Sequence, residues 1–122
     1  MSYVQGPLGN QIKKLMDDSN DFYKAGEVQK AIATLEEAWN MLPNGKYEYD
    51  ESFLIVWAIL NLAYNIHDEV TMNRWVKHIF LADPQRADCG DREMWGARVA
   101  MASSQPTTAL KYIEIAVKKS KG

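Results

Sequence analysis

Apolar residues recur at intervals of three and four through most of the chain, which is the spacing of amphipathic helices. Gly, Pro and short polar stretches separate the segments that follow this pattern. The pattern predicts six helices, over about 10–25, 27–42, 50–66, 68–83, 91–103 and 107–119. No regular alternation of apolar and polar residues predicts a β-strand, so the expected fold class is all-α.

The connections predict how these helices pair. Only a turn at Gly26 separates the first two, so they must be antiparallel neighbours. We expect three such pairs, over about 10–43, 50–84 and 91–119. Together they make one domain of residues 10–122, and residues 1–9 are expected to be a flexible N-terminal segment.

Individual residues support this division. Asp50, Asp68 and Asp91 each stand where a predicted helix begins, and an Asp side chain there caps the first free N–H groups. The third helix is apolar on every side from Phe53 to Leu60. Because this run is too short to cross a membrane, it predicts a buried central helix.

A helix near the start of the chain recurs near its end. Segment 31–39 matches segment 109–117, with Ala31 and Ala38 corresponding to Ala109 and Ala116. Two small residues on one helical stripe allow a second helix to approach closely. A repeated helix of this kind is typical of stacked arrays, in which no unit buries its apolar face alone.

Anchor residues at fixed spacing occur in each pair. The first pair has the fullest set: Leu15, Ser19, Phe22, Gly26, Ala31, Leu35, Ala38 and Pro43. The second pair has Trp57, Leu60, Tyr64 and Pro84, and the third has Ala97, Ala109, Ile113 and Ala116. This pattern resembles the tetratricopeptide repeat family. The resemblance implies three stacked antiparallel helix pairs in a right-handed α-solenoid, although the long connections after Pro43 and Pro84 depart from the family's period.

The resemblance also implies a function in protein recognition. Members of the family bind proteins or peptides on the concave face, which the first helix of each pair lines. Carried over to this chain, the groove would contain Met16, Asn20, Tyr23, Ala58, Leu62, Asn65, Met94, Arg98 and Met101. Met side chains adapt to irregular apolar surfaces, which suits a peptide groove, but a Met stripe at helical spacing also suits a core.

Composition excludes several other functions. The net charge of −2 argues against nucleic-acid binding, which needs an excess of Lys and Arg. His67, His78 and Cys89 lack the spacing of a zinc site, so neither a metal nor another cofactor is expected. The chain contains no motif of a nucleophile elbow, a phosphate-binding loop or a zinc protease. We therefore expect a non-enzymatic, cytoplasmic protein that does not bind membranes.

The first long loop offers a second candidate surface, consisting of Tyr47, Glu48, Tyr49, Asp50 and Glu51. Tyr supplies contact area and carboxylates steer a basic partner, so this acidic loop could serve an antitoxin-like immunity protein that neutralises a toxin domain. The alternative interpretation is a solvated loop and a helix start. A third possibility is a structural homo-oligomer, such as a homodimer in which a second copy covers the last helix.

Overall fold

The computed structural model of the chain describes residues 3–82 and 90–121. It contains six α-helices, which are α1 (Gly6–Lys24), α2 (Val28–Met41), α3 (Asp50–Asn65), α4 (Glu69–Leu81), α5 (Asp91–Ala102) and α6 (Pro106–Lys121). A short 3-10 helix (Lys46–Glu48) lies between α2 and α3. The described ranges contain no β-strand, so the all-α prediction is confirmed.

Helices adjacent in sequence pack against each other most closely. α1 packs on α2, α3 on α4 and α5 on α6, while α2 contacts α3 and α4 contacts α5. Each pair is joined by a short turn, as the sequence predicted. The described residues thus form three helix pairs that follow one another.

Helix α3 forms the centre of the core. Its buried apolar side chains point to more than one side of the helix, and Ile55, Val56, Ile59 and Leu60 are all completely enclosed. A helix that is apolar all round needs neighbours on several sides, and α2 and α4 supply them. The prediction of a buried central helix is confirmed.

The repeated Ala residues lie at close helix contacts. Ala31 and Ala38 on α2 are completely buried, and Ala109 and Ala116 on α6 are 1% and 4% exposed. Helix α5 also approaches α6 closely at Gly96, where an added Cβ would lie 2.9 Å from the ring of Tyr112. Small residues at these positions allow the helix backbones to come together.

Helix α1 begins earlier than predicted. It starts at Gly6, whereas the sequence pattern placed its start near residue 10. Pro7 causes no break because the first helical turn does not need its missing N–H. Residues 6–9, which we expected to lie outside the domain, are therefore the first turn of α1.

One of the three predicted Asp caps is confirmed. Asp68 Oδ1 accepts a 3.1 Å hydrogen bond from the backbone N–H of Thr71 at the start of α4. The other two predictions are wrong, because Asp50 and Asp91 are the first residues inside α3 and α5. Acidic side chains in the first turn still interact favourably with the positive end of the helix dipole, which explains their presence at both helix starts.

Two residues that entered the sequence analysis, Pro84 and Cys89, lie outside the described residues. Within the described ranges, none of the helices has both the length and the apolar character needed to span a membrane.

Candidate functional site

A cavity of about 230 Å³ opens between α1 and α3. Met16, Asn20 and Tyr23 follow one another at helical spacing on α1, and Ala58 and Leu62 face them from α3. These are five of the nine groove residues that the family resemblance implied. The remaining lining residues are Ser19, Leu35 and Asn61.

Asn61 is a lining residue that the sequence analysis did not select. It is exposed on α3, one turn from Ala58, and an amide side chain offers both donors and an acceptor. Its position was visible in the sequence as a polar residue that, with Asn65, interrupts the apolar part of α3. A polar residue in such a helix marks the side that faces solvent, and here that side is the cavity wall.

A second cavity, of about 490 Å³, lies at the N-terminal ends of the same two helices. Met16 lines both cavities, so the two lie next to each other along α1 and α3. The other lining residues are Tyr3, Val4, Gly9, Asn10, Lys13, Asp17, Glu51 and Leu54. We call the combined depression the α1–α3 groove.

The N-terminal segment lies at one end of this groove. The backbone N–H of Val4 donates to both carboxylate oxygens of Glu51, at 2.9 Å and 3.2 Å. Glu51 is only 5% exposed, so this contact satisfies a carboxylate that would otherwise be buried without a donor. Gly9 makes the arrangement possible, because a Cβ at this position would overlap the carbonyl group of Val4.

The remaining predicted groove residues lie elsewhere. Asn65, Met94, Arg98 and Met101 are exposed, and none of them lines either cavity of the groove. On α5, the guanidinium of Arg98 stacks 4.8 Å above the ring of Trp95.

Trp95 explains why the groove does not continue from α3 to α5. Its side chain is 1% exposed and packs edge-on against two rings of α3. The ring centroids lie 5.7 Å from Trp57 and 6.4 Å from Tyr64. An indole ring of this size fills the space between the two helices. The role of Trp95 is not visible in the sequence, because its partners on α3 are distant in the chain.

Two residues of the acidic loop are engaged inside the protein. The hydroxyl of Tyr47 forms a 2.7 Å hydrogen bond with Nδ1 of His78, and Glu51 binds Val4. Tyr49 and Asp50 are half-buried, and Glu48 alone of the five is exposed. The loop therefore presents less tyrosine and carboxylate surface than its sequence suggests.

His78 belongs to an aromatic cluster with Trp39, Trp75 and Tyr47. Its ring centroid lies 5.2 Å from Trp39, 5.0 Å from Trp75 and 5.9 Å from Tyr47. Burial, with a smaller effect from the positive charge of Lys77, lowers the pKa of His78 below its ordinary value. The cluster links the first long loop to α2 and α4, and it holds the Tyr47 hydroxyl against His78.

No group of three metal-binding side chains comes together among residues 3–82 and 90–121. Comparisons of the chain with protein-family models, with curated proteins and with solved structures found no match. The resemblance to tetratricopeptide repeats therefore depends on the residues of this chain alone.

Proposed function

We propose that this chain is a short tetratricopeptide-like solenoid that binds an extended segment of a partner protein in the α1–α3 groove and catalyses no reaction. Three consecutive helix pairs support the architectural part of the proposal, since a solenoid is built from such pairs. The location of the groove is supported by five of its lining residues, which the family resemblance had predicted to lie there.

The contact between Val4 and Glu51 is the observation on which the proposal rests. Gln5, the next residue, has the extended backbone angles φ −95° and ψ 160°. A backbone N–H group of the N-terminal segment is thus already bound at one end of the groove. Recognition of a backbone group is independent of side-chain identity, which is how extended peptides are commonly bound.

The rest of the groove has side chains suited to binding further residues of an extended segment. Met16, Tyr23 and Leu62 supply apolar surface, while the amides of Asn20 and Asn61 face the same cavity from opposite helices. The cavity that these residues line has a volume of about 230 Å³, below the usual range of pockets for drug-sized ligands. This size suits a peptide side chain, and the neighbouring cavity of about 490 Å³ leaves room for further residues of the segment.

A peptide-display screen against the full chain tests the proposal. We expect selected peptides to carry an apolar residue and to lose binding when Ala58→Glu puts a charge in the groove. Met101→Glu is the matched control, because Met101 is exposed and does not line the groove. Binding that survives Ala58→Glu, or that falls equally with both variants, would contradict the proposed location.

Salt dependence separates the groove from the acidic loop. Burial of apolar surface is not screened by ions, so peptide affinity should change little with added salt. A partner steered by the loop would instead associate more slowly at high salt. With Tyr47 and Glu51 engaged internally, we find no observation that favours the antitoxin-like alternative.

A further inference from the structure

Helices α2 and α6 hold equivalent positions in their pairs but differ in burial. The sequence repeat aligns Ile32 with Leu110 and Leu35 with Ile113. On α2 these residues are 4% and 3% exposed, whereas on α6 they are 55% and 39% exposed. Helix α3 packs on α2, and in the described part of the chain no helix follows α6. The equivalent residues of α2, which has a helix of the next pair packed against it, are therefore buried.

The exposed residues lie beside the face that α6 packs against the rest of the protein. Ala109 and Ala116 are buried, and the centroid of the Tyr112 ring lies 5.4 Å from that of Phe80 on α4. Leu110, Ile113 and Val117 instead form a separate row along the helix, and Val117 is 43% exposed. We call this row the α6 stripe.

The first helix of another copy does not fit the stripe. The exposed positions of α1 are mostly polar, and Lys14 and Asp18 form a 3.0 Å ion pair on its surface. Head-to-tail stacking of copies would place this polar surface against apolar side chains and would strip charges of water. A second α6, by contrast, offers an identical apolar row.

Charges beside the stripe favour the same occupant. Lys111 and Glu114 lie on the open side of the stripe, three residues apart and both exposed. In an antiparallel pair of identical helices centred between these two residues, Lys111 comes level with the partner's Glu114. The two-fold axis creates this opposite-charge contact twice. In the same arrangement, Leu110 and the partner's Ile113 differ by only about 3 Å in position along the helix axes.

We propose that the α6 stripe is a self-association surface, on which two copies of this chain pair their α6 helices antiparallel about a two-fold axis. The pairing closes on itself, so it yields dimers and not filaments. It uses α6, whereas the proposed peptide groove lies between α1 and α3, so the two proposals fail or succeed independently.

Sedimentation of the full chain over a dilution series tests the dimer. We expect the mass to rise from 13.9 kDa towards twice that value as concentration increases. Ile113→Glu should weaken association at least about tenfold, because it buries a charge at the pair's centre. Ile115→Glu is the matched control, since Ile115 is similarly exposed on another side of the same helix.

Reversing the charges at Lys111 and Glu114 tests whether the partner is a second copy of this chain. Lys111→Glu and Glu114→Lys should each weaken the dimer, and the double variant should restore it because the exchanged charges again meet their opposites. Both residues are exposed, so neither change should disturb the fold. A monomer at every concentration, equal effects of the Ile113 and Ile115 variants, or a double variant as weak as the single ones would each overturn the proposal.

Discussion

The hydroxyl of Ser19 on α1 donates a 2.8 Å hydrogen bond to the backbone carbonyl of Ala31 on α2. Both residues are buried, at 3% and 0% exposure. The bond is possible only because neither residue carries a bulky side chain that would separate the helices. It also satisfies a hydroxyl group that would otherwise be buried without a partner.

This contact makes Ala31 sensitive to added volume. Ala31→Trp should lower the free energy of unfolding by about 1–3 kcal/mol or more, because an indole ring would force α1 and α2 apart. Ala109→Trp should act similarly at the equivalent place between α5 and α6. Thermal denaturation measures both effects, with Ala33→Trp on the exposed side of α2 as control. Equal melting temperatures for all three variants would contradict the prediction that the repeated Ala residues allow close helix packing.

Glu51 should hold the N-terminal segment in the groove. In Glu51→Ala the N–H of Val4 loses a charged acceptor, an interaction worth about 1.5–3 kcal/mol. Amide hydrogen exchange at Val4 should accelerate about tenfold or more, while exchange in α2 stays unchanged. Glu48→Ala removes an exposed carboxylate from the same loop and should leave Val4 unaffected. Unaltered exchange in Glu51→Ala would show that other contacts hold the segment.

Asp68 stabilises the start of α4. Its two carboxylate oxygens accept hydrogen bonds from the hydroxyl and the backbone N–H of Thr71, and these bonds, the hydroxyl's first, lower the pKa of Asp68. Asp68→Ala should cost about 0.5–2 kcal/mol of stability in chemical denaturation at neutral pH. Because the pKa is lowered in the folded state, this contribution is lost as the pH falls below about 4. Asp21→Ala, at an exposed position of α1, should have little effect.

His78 should make stability depend on pH in a higher pH range than Asp68 does. Its pKa is lowered in the folded protein, so the unfolded chain binds a proton more readily and stability falls as the pH drops below about 6.5. His78→Phe keeps a ring in the aromatic cluster but cannot titrate, so unfolding should depend less on pH between about 7.5 and 5. His67→Asn is the control, since Asn tolerates the left-handed backbone at this position, where φ is 57°. An unchanged pH profile in His78→Phe would exclude His78 as the titrating group.

The helices and their pairing were largely predictable from the sequence. Helical periodicity is a local property, and turns at Gly26 and before Pro106 leave no room for any arrangement but antiparallel neighbours. The predictions about the helices that failed concern their ends: α1 begins four residues earlier than expected, and Asp50 and Asp91 lie inside α3 and α5 instead of before them. A residue just before a helix and one just inside it favour the same acidic side chains, so sequence does not separate these two positions.

The candidate site was predictable in part. Met16, Asn20 and Tyr23 share one helix, and their common direction follows from spacing alone. Whether residues of α5 join them depends on what lies between the helices, and Trp95 occupies that space through contacts with rings on α3. Sequence spacing carries no information about such a filling residue, because its partners belong to a different helix pair.

The sequence by itself determined the all-α fold, the three helix pairs and the burial of the repeated Ala residues, because each follows from the period of a helix and the length of a turn. Only the tertiary structure decided that Glu51 binds Val4 and that Tyr47 binds His78. These partners are 47 and 31 positions apart in the chain. The same acidic, tyrosine-containing loop could lie in solvent or against the core. Which of the two occurs depends on the side chains that distant helices place beside it.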